Sequence, residues 1–151
     1  LPVLRPEAAE GYFDFIPAIF SDIIHRAYAE TGGLLPRRPR DKRILEVLEF
    51  LRLHSHENPT AVRTAELVFM SPSRLLHLFK LECGIGMGEY LLKLRLRKAR
   101  RFLLAADWPI SRVAEKSGFT DQSYFTSMFR REFGLPPLRY RRKHGHAPYT
   151  V

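Results

Sequence analysis

Residues 109–134 read Pro109-Ile-Ser-Arg-Val-Ala-Glu-Lys-Ser-Gly-Phe-Thr-Asp-Gln-Ser-Tyr-Phe-Thr-Ser-Met-Phe-Arg-Arg-Glu-Phe-Gly134. A short apolar-periodic segment carries Val113 and Ala114. Gly118 breaks it, Phe119 plugs the break, and Asp121 opens a second, longer segment. That order is the grammar of a helix-turn-helix. The small Ala114 lets two helices cross closely, and Gly118 can take the positive φ that most residues avoid. The second segment sorts its residues by face. Phe125, Met128 and Phe129 point to a core, while Gln122, Ser123, Thr126, Ser127 and Arg130 point away. Short polar groups and an Arg on an exposed helix suit base edges and the phosphates beside them.

The same grammar occurs once more upstream. Ser71-Pro-Ser-Arg-Leu-Leu-His-Leu-Phe-Lys80 corresponds to Asp121-Gln-Ser-Tyr-Phe-Thr-Ser-Met-Phe-Arg130. Each ends in apolar-Phe-cation, each follows a short helical segment, and a Gly stands four residues past each cation, at Gly84 and Gly134. Ser71-Pro72 is a cap followed by a first-turn proline. Leu75, Leu78, Phe79 and Leu81 are the expected apolar side of that helix. Between the units, residues 87–104 read as one continuous helix of about 27 Å at ~1.5 Å per residue. Leu92, Leu96, Ala99 and Leu103 form one of its stripes; Lys93, Arg97 and Arg100 form a second, most simply a solvated face. Asp41 caps a helix over roughly 42–55, with Ile44, Leu45, Leu48 and Leu51 as its buried stripe, and Thr60 opens a short helix to about Val68. Leu138–Lys143 add a last basic turn. Strand-like alternation is missing, so the expected fold is all-α: two helix-turn-helix units joined by a long central helix.

Ahead of this lies an amphipathic helix over 14–30. Ile16, Ile19, Phe20, Ile23, Ile24, Ala27 and Tyr28 follow helical spacing, and Gly32-Gly33 end it. So wide a stripe needs a partner, within the chain, in a second copy or in a regulatory domain. Residues 34–41 form a basic, proline-punctuated linker, and residues 145–151 a tail. The chain opens on Leu1 rather than Met, which suggests a piece of a longer protein.

Charge narrows the partner. The net charge is +9, yet residues 1–40 balance five Lys/Arg against five Asp/Glu, so the excess lies entirely beyond residue 40. A polyanion is expected there, nucleic acid first and an anionic membrane surface second. No apolar run is long enough to cross a bilayer, and no signal peptide is visible. Cys83 is the only cysteine, which rules out an intrachain disulfide and fits a reducing compartment. It reads as a small buried residue before a glycine turn. His54-Ser-His56 and His144-Gly-His146 are weak metal signals without Cys or carboxylate partners at ligand spacing. No metal site and no cofactor are expected. Glycine-rich phosphate loops, paired carboxylates and nucleophile–His constellations are missing too, which argues against catalysis.

Residues 42–143 resemble the DNA-binding domain of the AraC/XylS family of transcriptional regulators. In the second unit the resemblance is carried by Ile110, Val113-Ala114, Gly118-Phe119, Asp121-Gln-Ser-Tyr-Phe125, Phe129, Phe133-Gly134 and Pro137…Tyr140-Arg141. In the first unit and the central helix it is carried by Ser71-Pro-Ser…Leu75…Leu78-Phe79-Lys80 and Tyr90-Leu…Arg95-Leu…Ala99…Leu103-Leu104. Three positions depart from the pattern. Thr64 stands where the family usually has Leu, and Phe69 replaces the usual turn glycine, so an unusual turn is expected in the first unit. Ser127 replaces a residue that is often Arg, which removes a strong guanine reader.

The resemblance implies a cytoplasmic bacterial transcription factor, at the nucleoid, whose two units enter successive major grooves on one face of the duplex. Its partners would be double-stranded DNA, RNA polymerase and, through 14–30, a second copy or a regulatory domain. Facing and family positions together nominate Ser73, Arg74 and His77 as base contacts from the first unit, and Gln122, Ser123, Thr126 and Ser127 from the second. Gln122 suits a bidentate bond to adenine, and Arg74 a guanine or a phosphate. Tyr124 is expected to be half core and half interface. Lys80, Arg95, Arg130 and Arg131 are read as phosphate clamps, whose loss weakens every duplex alike. The competing reading is a nonspecific architectural nucleic-acid-binding protein.

Overall fold

Asp41 starts the first helix by accepting the Arg43 N–H on Oδ1 at 2.9 Å, one of the donors a helix start leaves unpaired. The computed structural model describes residues 34–145. The 14–30 helix read from the sequence, and residues 146–151 with His146, lie outside the described residues. Seven helices and no strand occur among the described residues: α1 Lys42–His54, α2 Ala61–Leu67, α3 Pro72–Cys83, α4 Met87–Ala105, α5 Ile110–Lys116, α6 Gln122–Phe133 and α7 Pro137–His144. The fold is the all-α one expected.

The two units repeat the same local chemistry. Unit one is α2–turn–α3 and unit two is α5–turn–α6. The short helices have 7 residues each and the long ones 12. Ser71 Oγ accepts from Arg74 N at 3.3 Å, and Asp121 Oδ1 accepts from Tyr124 N at 2.5 Å. Both long helices end on a left-handed glycine, Gly84 at φ 80° and Gly134 at φ 78°, where a Cβ would be strained.

The α4 rod has 19 residues and serves both units with different faces. Near its start Tyr90 is buried and its ring lies 5.8 Å from that of Phe79 in unit one. Farther along, Leu96, Ala99 and Leu103 join Val113, Ala114, Phe119, Phe125 and Phe129 of unit two in a single core. Within that core the rings of Phe119, Phe125 and Phe129 follow one another at 5.0 and 5.6 Å. Tyr140 of α7 meets Phe129 edge-on at 5.4 Å. Truncating a buried Phe of this kind to Ala costs about 3–5 kcal/mol. Arg141 fastens α7 to the end of the rod, donating to the carbonyls of Leu103 at 3.2 Å and Trp108 at 2.6 Å.

Some faces differ from the expected stripes. In α1, Ile44, Val47 and Leu51 are fully buried and Leu45 and Leu48 only partly. In α3 the buried residues are Leu75, Phe79 and Cys83, while Leu81 is 57% exposed. The reason is angular: positions 75, 79 and 83 advance four at a time along one face, whereas Leu81 sits about 200° around from Phe79. The second rod stripe is engaged. Lys93 approaches Glu89 at 4.0 Å, and the Arg100 guanidinium lies 5.6 Å from the centre of the Phe133 ring.

Candidate nucleic-acid interface

Burial on one side of α3 and α6 decides what the other side can offer. With Leu75 and Phe79 inward, Ser73, Arg74, His77 and Lys80 are exposed on α3. With Phe125 and Phe129 inward, Gln122, Ser123, Ser127, Arg130 and Arg131 are exposed on α6, and Thr126 is half-buried. The repeat puts these residues in register: Ser73 with Ser123, His77 with Ser127, Lys80 with Arg130. Each set steps by four and then three residues, which keeps it on one helix face. Among the described residues, Arg74, Lys80, Arg130 and Arg131 make no ion pair. Their charges remain available to an external anion. The N-terminal residues of both helices, 71–73 and 121–123, are exposed beside this face.

Tyr124, expected to be half core and half interface, lies in the same register. It stands where Arg74 stands in unit one and is 51% exposed, its ring 6.3 Å from that of Phe119.

Arg95, read from the sequence as a phosphate clamp, is engaged within the chain. Its guanidinium is half-buried and turned inward. Nε donates to the Ser55 carbonyl at 2.6 Å and Nη2 to Asn58 Oδ1 at 2.5 Å. Burial pushes its pKa down, with Tyr124 opposing that. Two of its donors thus serve the chain itself.

Residues 36–41 are also engaged. The N–H groups of Arg40 and Asp41 donate to Glu82 Oε2 at 2.7 and 3.1 Å, and Arg37 donates to the Leu81 carbonyl at 3.3 Å. The two backbone donors hold the Glu82 carboxyl below its ordinary pKa. The stretch read as a linker is thus fastened along the C-terminal end of α3.

His54 and His56 face Glu57 at 3.0 and 3.7 Å, and the described residues hold no cluster of three or more His, Cys, Asp or Glu placed to share an ion. No described helix is long and apolar enough to cross a membrane.

Residues 64–143 match the family described as a helix-turn-helix domain. The chain belongs to the AraC/XylS family of transcriptional regulators. It is 33% identical over 120 residues to the arabinose operon regulatory protein of Escherichia coli strain K12, covering 79% of this chain and 40% of that one. It is 30% identical over 105 residues to the regulatory protein PocR of Salmonella typhimurium strain LT2, covering 70% and 35%. The chain therefore spans well under half the length of these relatives. Among solved structures, the C-terminal domain of AraT, a response regulator from Geobacillus stearothermophilus, superposes with a TM-score of 0.68 at 31% identity, covering 74% of this chain and 93% of that one. The DNA-binding domain of the global transcriptional factor AdpA, solved in complex with a target DNA, gives 0.64 at 26% identity over 68% and 93%. As in other AraC/XylS proteins, the described domain is a helix-turn-helix DNA-binding domain.

Proposed function

We propose that this AraC/XylS chain is a sequence-specific regulator of transcription that sets α3 and α6 into successive major grooves on one face of a duplex. The observation that carries the reading is the duplicated register: two 12-residue helices, capped alike, with matching polar faces, held on one rod. Successive grooves on one face lie about 34 Å apart, and a 19-residue rod of about 28 Å plus its flanking turns is a suitable spacer. Ser73, Arg74 and His77 would read bases from α3, and Gln122, Ser123, Thr126 and Ser127 from α6. Lys80, Arg130 and Arg131 would bind phosphates and set register without reading sequence. RNA polymerase, and a second copy through residues 14–30, are the further partners the family resemblance implies, with the bacterial cytoplasm as the setting.

A competition titration tests the reading. The best duplex selected by the protein from a random pool is labelled, then competed at fixed salt with itself and with a scrambled version. The selected duplex should compete ~10³-fold better or more, the lower range for specific over nonspecific binding. Equal competition by the scramble would leave the architectural alternative standing and end this one.

A further inference from the structure

Helices α1 and α3 pack on the rod, as do α5, α6 and α7, and no helix of α1–α3 packs extensively on one of α5–α7. The α1–α2 loop, just ahead of unit one, nevertheless meets unit two. The loop after α1 carries Ser55, which is buried, and Asn58, which sits at φ 54°. Arg95 on the rod ties both to itself through the two hydrogen bonds already given. The turn of unit two rests against the same group. A Cβ built on Gly118 would lie 2.9 Å from Arg95 Nε, from His56 Cα and from the Ser55 carbonyl oxygen. Rod, α1–α2 loop and unit-two turn thus meet around a single guanidinium. The Ser55 carbonyl is one of those the C-terminal end of α1 leaves unpaired, and a cation is the group such an end favours. Beside the joint opens a cleft of about 400 Å³ lined by Asn58 on one wall and by Ser111, Thr120 and Gln122 on the other. Gln122, a candidate base-reading side chain, thus borders the cleft.

We propose that Arg95 is a positioning residue that fixes the angle between the two units, and through it the base-pair spacing the protein accepts. Packing on the rod orients each unit through side chains of the rod, while a direct tie between the units resists bend and twist across it. Arg95, Ser55, Asn58 and Gly118 supply that tie. The inference rests on the two-groove reading for its consequence on DNA, but the joint itself can be judged without DNA.

The full chain is labelled with nitroxides at Glu66→Cys and Glu132→Cys, both exposed positions outside the interface. The native Cys83 is fully buried, and burial pushes its thiol up to about 12, so it does not compete for the label. Double electron–electron resonance on the free protein should give one narrow distance distribution in the parent. It should broaden in Arg95→Ala and in the milder Asn58→Gly, which removes the acceptor while tolerating the positive φ. Asn58→Asp, which keeps an acceptor, should restore the narrow distribution. Binding is then measured on the selected duplex and on one with a base pair inserted between the half-sites, a change of about 35° and 3.4 Å. The parent should lose about tenfold on insertion, comparable with a mismatched pair, and Asn58→Gly about twofold. Arg130→Ala should bind both duplexes less well and keep the tenfold ratio. Distributions as narrow as the parent's in both joint variants, or an undiminished insertion penalty despite broadening, overturn the proposal. If no two-part site is selected at all, the two-groove reading fails, and the resonance distances still decide whether the joint exists.

Discussion

Unit one and unit two share lengths, caps and terminal glycines, yet their turns are opposites. Gly118 sits at φ 93° in a buried turn pressed against the 55–58 loop. Phe69 sits at φ 54° and is 98% exposed. The left-handed conformation is common to both, because each turn needs it. What differs is the space beyond. In unit two a side chain would run into backbone and Arg95, so glycine is required twice over. In unit one the turn meets only solvent among the described residues, so a Phe survives at the cost of backbone strain. Thr64 fits the same picture. It is fully buried, and its hydroxyl donates to the Thr60 carbonyl at 2.7 Å. A polar side chain is therefore accommodated where the family usually packs Leu.

The comparison can be broken at either turn. Gly118→Ala should lose about 2–4 kcal/mol of stability by urea unfolding, adding left-handed strain to overpacking. No loss, or the gain of about 0.4–1 kcal/mol that backbone entropy alone would give, would show that the turn is not wedged. Next in size is the difference between the helices themselves. Gln122→Ala should cost about 1–3 kcal/mol at a single base position, while Lys80→Ala should weaken all duplexes alike and lower the salt slope by ~1. Identical losses on every duplex would take Gln122 out of the reading set. Smaller still, Phe69→Gly should raise stability by about 1 kcal/mol through relief of left-handed strain. A destabilised Phe69→Gly would mean that the ring is covered by something. The least effect concerns the 36–41 stretch on α3. Because Glu82 is held below its ordinary pKa in the folded state, its contribution is present above the unfolded value and fades as pH falls through the folded one. Hydrogen-exchange protection of the Arg40 and Asp41 amides should drop across that acid window, and Glu82→Gln should reduce it at neutral pH.

Much of this architecture is written locally. Asp41, Thr60, Ser71 and Asp121 announce helix starts because caps act within three residues, and Gly84 and Gly134 announce ends for the same reason. The candidate reading faces are legible because Phe125 and Phe129, once inward, leave only one outward set. Leu81 was misread because Cys83, a small residue that carries little weight in an apolar pattern, fills the core position instead. The inward partners of Arg95 were not legible because Ser55 and Asn58 lie 40 and 37 residues away, and a cation on a rod looks the same in sequence whether it turns out or in. The docking of residues 36–41 was invisible because Glu82 takes its hydrogen bonds from backbone N–H groups, which carry no residue identity.

Selection of bound duplexes from a random pool bears most directly on the two-groove reading. Two sequence blocks should emerge, centred about 10–10.5 base pairs apart and on one face of the helix, with one block losing its preference in Gln122→Ala and the other in Arg74→Ala. A single block unaffected by one of these changes, or no enrichment at all, would contradict it.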